Sequence, residues 1–192
     1  PEHLIGVKRA VAWAKSEGRG IGVDPGRVVV SGGSSGAHLA ALVALTAGEP
    51  GLQPGFEDAD VSVAACVAFY GIYDLLIRNP TRYDWPFIAN TVMKARATEA
   101  PELYELGSPL DQVHSAAPPF LVVHGEYDSV VLAAESEHFV SALRASEVDV
   151  EYLEVSGAQH GFDAIASIRS RAVANRCVEW LTAKVADHSS LQ

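Results

Sequence analysis

Residues 28–41 read Val28-Val29-Val30-Ser31-Gly32-Gly33-Ser34-Ser35-Gly36-Ala37-His38-Leu39-Ala40-Ala41. The valine triplet is a short continuous apolar run. Such a run suits a strand buried on both faces, as in a parallel sheet. The small residues 31–36 follow at once and permit a tight turn. Residues 37–47 are apolar on nearly every side, which predicts a buried helix ended by Gly48 and Pro50. Strand, tight turn and buried helix make the repeating unit of a parallel α/β sheet, and the rest of the chain is read outward from it.

Upstream, Leu4, Val7, Val11 and Ala14 recur at helical spacing. Lys8, Arg9, Lys15 and Glu17 are expected to turn mostly to solvent. Gly18 and Gly20 stop that helix, and Asp24-Pro25-Gly26 is a turn. Downstream, 51–60 reads as a loop and 61–70 as the next strand. Residues 72–110 have weak periodicity, several aromatics (Tyr73, Tyr83, Trp85, Phe87, Tyr104) and Pro80, Pro86, Pro101 and Pro109. They read as short helices and loops, a cap-like excursion over the sheet. A third strand is expected at 120–123 and a helix at 131–144. An alternating apolar and acidic strand nearer the sheet edge follows at 148–155. The last helix is expected at 165–185, with a frayed polar tail from Asp187. Strands alternating with helices predict an α/β fold with a mostly parallel sheet and right-handed crossovers, a single domain over 1–192.

Composition narrows the partners. The 192 residues carry 14 Lys+Arg against 24 Asp+Glu, a formal net charge of −10. That balance argues against binding a nucleic-acid backbone, which needs a basic stripe. No apolar run is long enough to span a membrane. A content of 48% hydrophobic and 20% charged residues suits a globular chain with a core, not a disordered one. Cys66 and Cys177 lie 111 positions apart with no metal-type cluster around either, and read as buried free thiols. No signal-peptide pattern opens the chain, and the compartment is left open with a slight lean to the cytoplasm.

Gly32-Gly33-Ser34-Ser35-Gly36 matches G-x-S-x-G between a strand and a helix. A nucleophilic serine on such a turn has strained backbone angles, so small residues must flank it. The frame selects Ser34, with glycine at −2 and +2. The Ser35 N–H, at the helix N-terminus, suits an oxyanion. A phosphate loop fits less well, because neither a Lys-Ser/Thr pair nor a full G-x-G-x-x-G is present. Of the seven histidines, His3, His138 and His188 read as solvated and His114 as structural. His38 is on the elbow's own helix and should point away from Ser34, while His124 ends a strand. His160, in the loop after the last strand, shares the sheet's C-terminal rim with Ser34 and is the expected base. Asp128, one short turn after the third strand, is the expected orienting acid. Asp74 is its main rival, and Asp163 and Glu126 are weaker ones. The order Ser34, Asp128, His160 has gaps of 94 and 32 residues.

That order is the α/β-hydrolase one. Residues 28–41 (VVVSGGSSGAHLAA), 117–128 (APPFLVVHGEYD) and 157–163 (GAQHGFD) resemble the hormone-sensitive-lipase-like branch of α/β-hydrolases, in the style of bacterial carboxylesterases and lipases. The stretch Tyr70-Gly71-Ile72-Tyr73-Asp74 fits as well. The resemblance implies Ser34 as nucleophile, Asp128 as acid, His160 as base and the Ser35 N–H as one oxyanion donor. The elbow departs from that branch's usual G-D-S-A-G. The branch also carries a His-Gly-Gly oxyanion motif upstream of the elbow, and these 192 residues contain none. The branch's sheet has eight strands, of which only the last four are legible. The chain is therefore expected to be the C-terminal part of a longer catalytic domain, completed by an upstream segment or a second chain. By itself it would leave the first strand's outer edge uncovered.

The expected activity is hydrolysis of carboxylic esters through an acyl-enzyme on Ser34, with a small-molecule ester as substrate and no need for a metal or organic cofactor. A serine peptidase or amidase uses the same fold and triad. A truncated, non-catalytic hydrolase-like binding domain is the reading from another class. Aromatics between Tyr70 and Phe87 are candidates for an acyl pocket, with ordinary cap packing as the alternative. A homodimer through an exposed last strand or helix is an arrangement such a sheet permits.

Overall fold

Among the described residues, four strands set the frame: β1 (Val29–Gly33), β2 (Ala65–Phe69), β3 (Phe120–Gly125) and β4 (Val150–Val155). They lie side by side in that order, all parallel. Val30 stands opposite Cys66, Cys66 opposite Phe120, and Phe120 opposite Val150. Among the described residues, five α-helices connect and flank them: α1 (Glu2–Ser16), α2 (Ser35–Leu45), α3 (Pro101–Gly107), α4 (Ala133–Ala145) and α5 (Ile168–Val185). The computed structural model describes residues 1–78 and 86–185. Pro80, Tyr83, Trp85, His188 and the polar tail lie outside the described residues.

The alternation of side chains along a strand splits the core in two. Cys66, Ala68, Phe120 and Val122 pack with α1, α2 and α4. Ala65, Val67, Leu121 and Val123 pack with Val173, Cys177 and Trp180 of α5. The two cysteines are free and buried, one in each cluster. Both faces are thus covered, and β2 and β3 are apolar almost throughout because they are the central strands. β4 lies at one edge, as its acidic alternation predicts. Glu151 there pairs with Arg176 of α5.

Three expectations need correction. β1 is the other edge strand, with Val29 half-buried and Ser31 exposed, so it is not buried on both faces. β2 begins at Ala65, not at 61. Residues 61–64 only approach the sheet, where the Ala64 N–H donates to the Val28 carbonyl at 2.7 Å. Lys8 does not turn to solvent: it is wholly buried. Its stem packs inside, and its ammonium donates to the Thr46 carbonyl at the C-terminal end of α2. Helix ends leave carbonyls without intrahelical partners, and a cation is favoured there. Nε2 of His114 meets the neighbouring Leu45 carbonyl at 3.1 Å, which gives that histidine the structural role expected of it.

The excursion after β2 contains a π-helical turn (Ile88–Met93) and α3. It has a small core of its own, in which Ile72, Leu75, Ile88 and Tyr104 meet Val131. Its base is closed where the Leu110 N–H donates to the Tyr73 carbonyl at 2.9 Å, and where Arg78 pairs with Asp74 and Asp111. Tyr73 stacks on Phe139 of α4, with ring centroids 4.1 Å apart, and Phe120 meets Phe139 edge-on at 5.7 Å.

Two outcomes follow for stability. Phe139→Ala should cost about 3–5 kcal/mol in urea unfolding, because it empties the centre of that aromatic cluster. Burial pushes the Lys8 ammonium down to about 8, with Glu49 opposing the shift. Between that pH and about 10.4 the unfolded chain keeps a proton that the folded one has lost. Stability measured relative to Lys8→Met should therefore rise with pH across this window, and a flat difference would contradict the burial.

Candidate active site

Ser34 sits between the last residue of β1 and the first of α2, at φ 56° and ψ −119°. This region is rarely entered by a residue with a side chain. The local sequence explains how it is held. A Cβ on Gly32 would lie 2.4 Å from the backbone carbon of Gly36, so strand and helix approach too closely there for any side chain. The Ser34 N–H donates to the Phe69 carbonyl at 2.9 Å, which anchors the turn to β2. Ser35 opens α2, and its N–H belongs to the first turn, which has no intrahelical acceptor.

His160 follows β4 and Asp128 follows β3, so both reach the C-terminal rim where Ser34 stands. Nδ1 of His160 is 2.7 Å from Oδ2 of Asp128, and Nε2 is 3.0 Å from Oγ of Ser34. A carboxylate only accepts, so Nδ1 carries the proton and Nε2 is left to accept the Ser34 O–H. Asp128 is itself fixed. Its Oδ1 accepts from the N–H groups of Val130 and Val131, both at 2.9 Å. Burial would push this carboxyl up, but the donors from His124, Val131, His160 and Val130 outweigh it and hold it at about 2. Asp128 is thus a buried, fully accepting anion facing the imidazole.

The rival residues go elsewhere. Asp74 is engaged by Arg78, whose Nη2 is 3.0 Å away. Asp163 accepts from the Tyr70 hydroxyl. Glu126 accepts from the Ser156 hydroxyl and the Gly157 N–H. Nδ1 of His38 meets the Ile72 carbonyl at 2.9 Å. His3 and His138 are exposed.

Sequence reasoning overlooked two supports of this site. His124 is wholly buried, and its Nε2–H lies 2.8 Å from the Val131 carbonyl and 3.3 Å from Oδ2 of Asp128. Its Nδ1 is 2.6 Å from the Ser136 hydroxyl. The signal was the i,i+4 spacing of His124 and Asp128 across the strand end. Gln159, next to His160, accepts from the N–H and hydroxyl of Ser129, and so ties the loop of the base to the loop of the acid. Among the described residues no group of three His, Cys, Asp or Glu is placed to hold a metal ion, and no helix is long and apolar enough to cross a membrane.

Comparison with known proteins places this geometry in context. Esterase LipQ of Mycobacterium tuberculosis (strain ATCC 25618 / H37Rv) is 46% identical over 183 residues, covering 94% of this chain and 44% of that protein. The probable carboxylic ester hydrolase LipM of the same organism is 40% identical over 173 residues, covering 88% of this chain and 40% of that protein. The chain thus spans less than half the length of these curated relatives. A truncated form of a carbohydrate esterase from gut microbiota superposes with a TM-score of 0.80 at 23% identity, covering 95% of this chain and 69% of that one, and supports the fold. The family model described as BD-FAE matches residues 1–143. A match over most of the chain, on a parallel sheet with helices on both faces, means that this protein belongs to the BD-FAE family and has the α/β-hydrolase fold.

Proposed function

We propose that this chain carries the catalytic residues of a carboxylic-ester hydrolase that works through an acyl-enzyme on Ser34. The observation that supports it best is the continuous line from Asp128 through His160 to Ser34, with separations of 2.7 and 3.0 Å. The esterase names of the relatives point the same way.

In this reading His160 Nε2 takes the Ser34 proton as Oγ attacks the ester carbonyl carbon. The imidazolium is stabilised by Asp128, an anion already in place. The carbonyl oxygen becomes an oxyanion beside the Ser35 N–H. On collapse, the bond to the alcohol breaks and that oxygen takes the proton from Nε2. A water molecule then gives its proton to Nε2, attacks the acyl carbon and releases the acid, returning the proton to Ser34. In this reading residues 1–192 are the C-terminal part of one catalytic domain, with 72–110 as a cap-like excursion. A second oxyanion donor of the His-Gly-Gly type is absent from the sequence, so it would come from residues outside it. One such donor is typically worth about 10²–10³ in rate.

The test is turnover of the matched substrates p-nitrophenyl acetate and p-nitroacetanilide by the whole protein. The ester should be hydrolysed far faster than the amide. Ser34→Ala and His160→Ala should abolish acyl-enzyme turnover, and Asp128→Asn should lower kcat by about 10³–10⁴-fold. Faster amide cleavage would favour a peptidase or amidase. Turnover that survives Ser34→Ala would reject the nucleophile.

A further inference from the structure

Tyr70 is not used by the proton transfers above, yet it lies against the elbow, the base and the turn that follows the base. It follows β2 at φ 41°, a left-handed angle that is costly for an aromatic residue. Its N–H donates to the Val123 carbonyl at 2.7 Å, which fixes the backbone to β3. Its ring lies against the His160 imidazole, with centroids 4.6 Å apart and planes at 59°. Its hydroxyl donates to Oδ1 of Asp163, three residues beyond the histidine. The same hydroxyl would lie 2.7 Å from a Cβ on Gly33, the residue before Ser34. One buried side chain thus spans the elbow, the base and the end of the base's turn.

The need for such a tie is visible in the turn. Before His160 the chain is held by buried Ala158, whose carbonyl accepts from the Tyr127 N–H at 2.9 Å, and by Gln159. After it, Gly161 adopts φ 68° with open space around its α-carbon, and residues 163–169 are exposed. On that side Phe162 packs edge-on to Tyr70, with centroids 5.8 Å apart, and against the core under α5, while the exposed turn beyond it is tied back by the Tyr70 hydroxyl.

We propose that Tyr70 is a positioning residue for His160, whose hydroxyl grips Asp163 and whose ring flanks the imidazole, keeping Nε2 on Ser34. This rests on the catalytic reading of Ser34 and His160. Burial first, then the Asp163 and Asp128 carboxylates, push the Tyr70 phenol up, so the donor stays protonated.

The experiment compares Tyr70→Phe, Asp163→Ala and Asp163→Asn in the whole protein by two readouts. The first is the downfield ¹H resonance of His160 Nδ1–H, identified by its loss in His160→Ala, and it requires no substrate. The second is the kcat and KM for a p-nitrophenyl ester. Tyr70→Phe, which keeps the ring, should broaden the resonance and lower kcat by about 10- to 100-fold with KM within about twofold. Asp163→Ala should do the same, whereas Asp163→Asn, which still offers an acceptor, should restore both. Asp163 is exposed, so its two variants carry the comparison if Tyr70→Phe does not fold. A resonance as sharp in Asp163→Ala as in the wild type, or Asp163→Asn as impaired as Asp163→Ala, would overturn the proposal. If the resonance responds as expected while the wild type cleaves no ester, Tyr70 still positions His160 and the ester reading alone falls.

Discussion

At residue 32 the chain leaves no room for a Cβ, and the rest of the site depends on that contact. The Gly32 and Gly36 backbones meet where β1 passes into α2, and this closeness holds Ser34 at a positive φ. A relaxed turn would lay the hydroxyl back against the helix. The constrained one lifts it to the rim where the loops after β3 and β4 also end. Parallel strands make that rim common property: Ser34, Asp128 and His160 come from three different loops, yet meet within hydrogen-bond distance.

Around that contact the protein places polar groups in pairs, which is how buried polarity is tolerated. Asp128 is satisfied by two backbone N–H groups and two imidazoles. Buried Glu135 accepts from the N–H groups of Tyr73 and Asp74 at 2.8 and 2.9 Å, pinning the start of the cap segment to α4. Lys8 and His114 close the carbonyl end of the same α2 whose N-terminus begins beside Ser34. Stability of that helix and geometry of the elbow are therefore coupled through one rigid element.

Much of this was legible in the sequence, for local reasons. G-x-S-x-G located the turn because glycine is required where backbones touch. The strand and helix periods identified the alternating α/β pattern and hence a parallel sheet, and position after a strand singled out Asp128 and His160. Contacts distant in sequence were not legible. Lys8 follows no rule that would bury a lysine, since its partner carbonyl is 38 residues away. Tyr70 reads as one more aromatic until its hydroxyl meets an aspartate 93 residues later. Val61 is buried yet lies outside the ladder, so hydrophobicity alone misplaced the start of β2. Asp74 also follows a strand, and what separates it from Asp128 is its ion pair with Arg78, which position along the chain does not reveal.

The central claim is that Ser34 is an activated nucleophile, and the most direct measurement is covalent labelling with a fluorophosphonate, mapped by mass spectrometry. It requires no assumption about the ester. Modification of Ser34, and its loss in His160→Ala, is the expected result. Labelling at another serine, or none in the whole protein, would contradict it and leave a hydrolase-like domain that binds rather than cleaves.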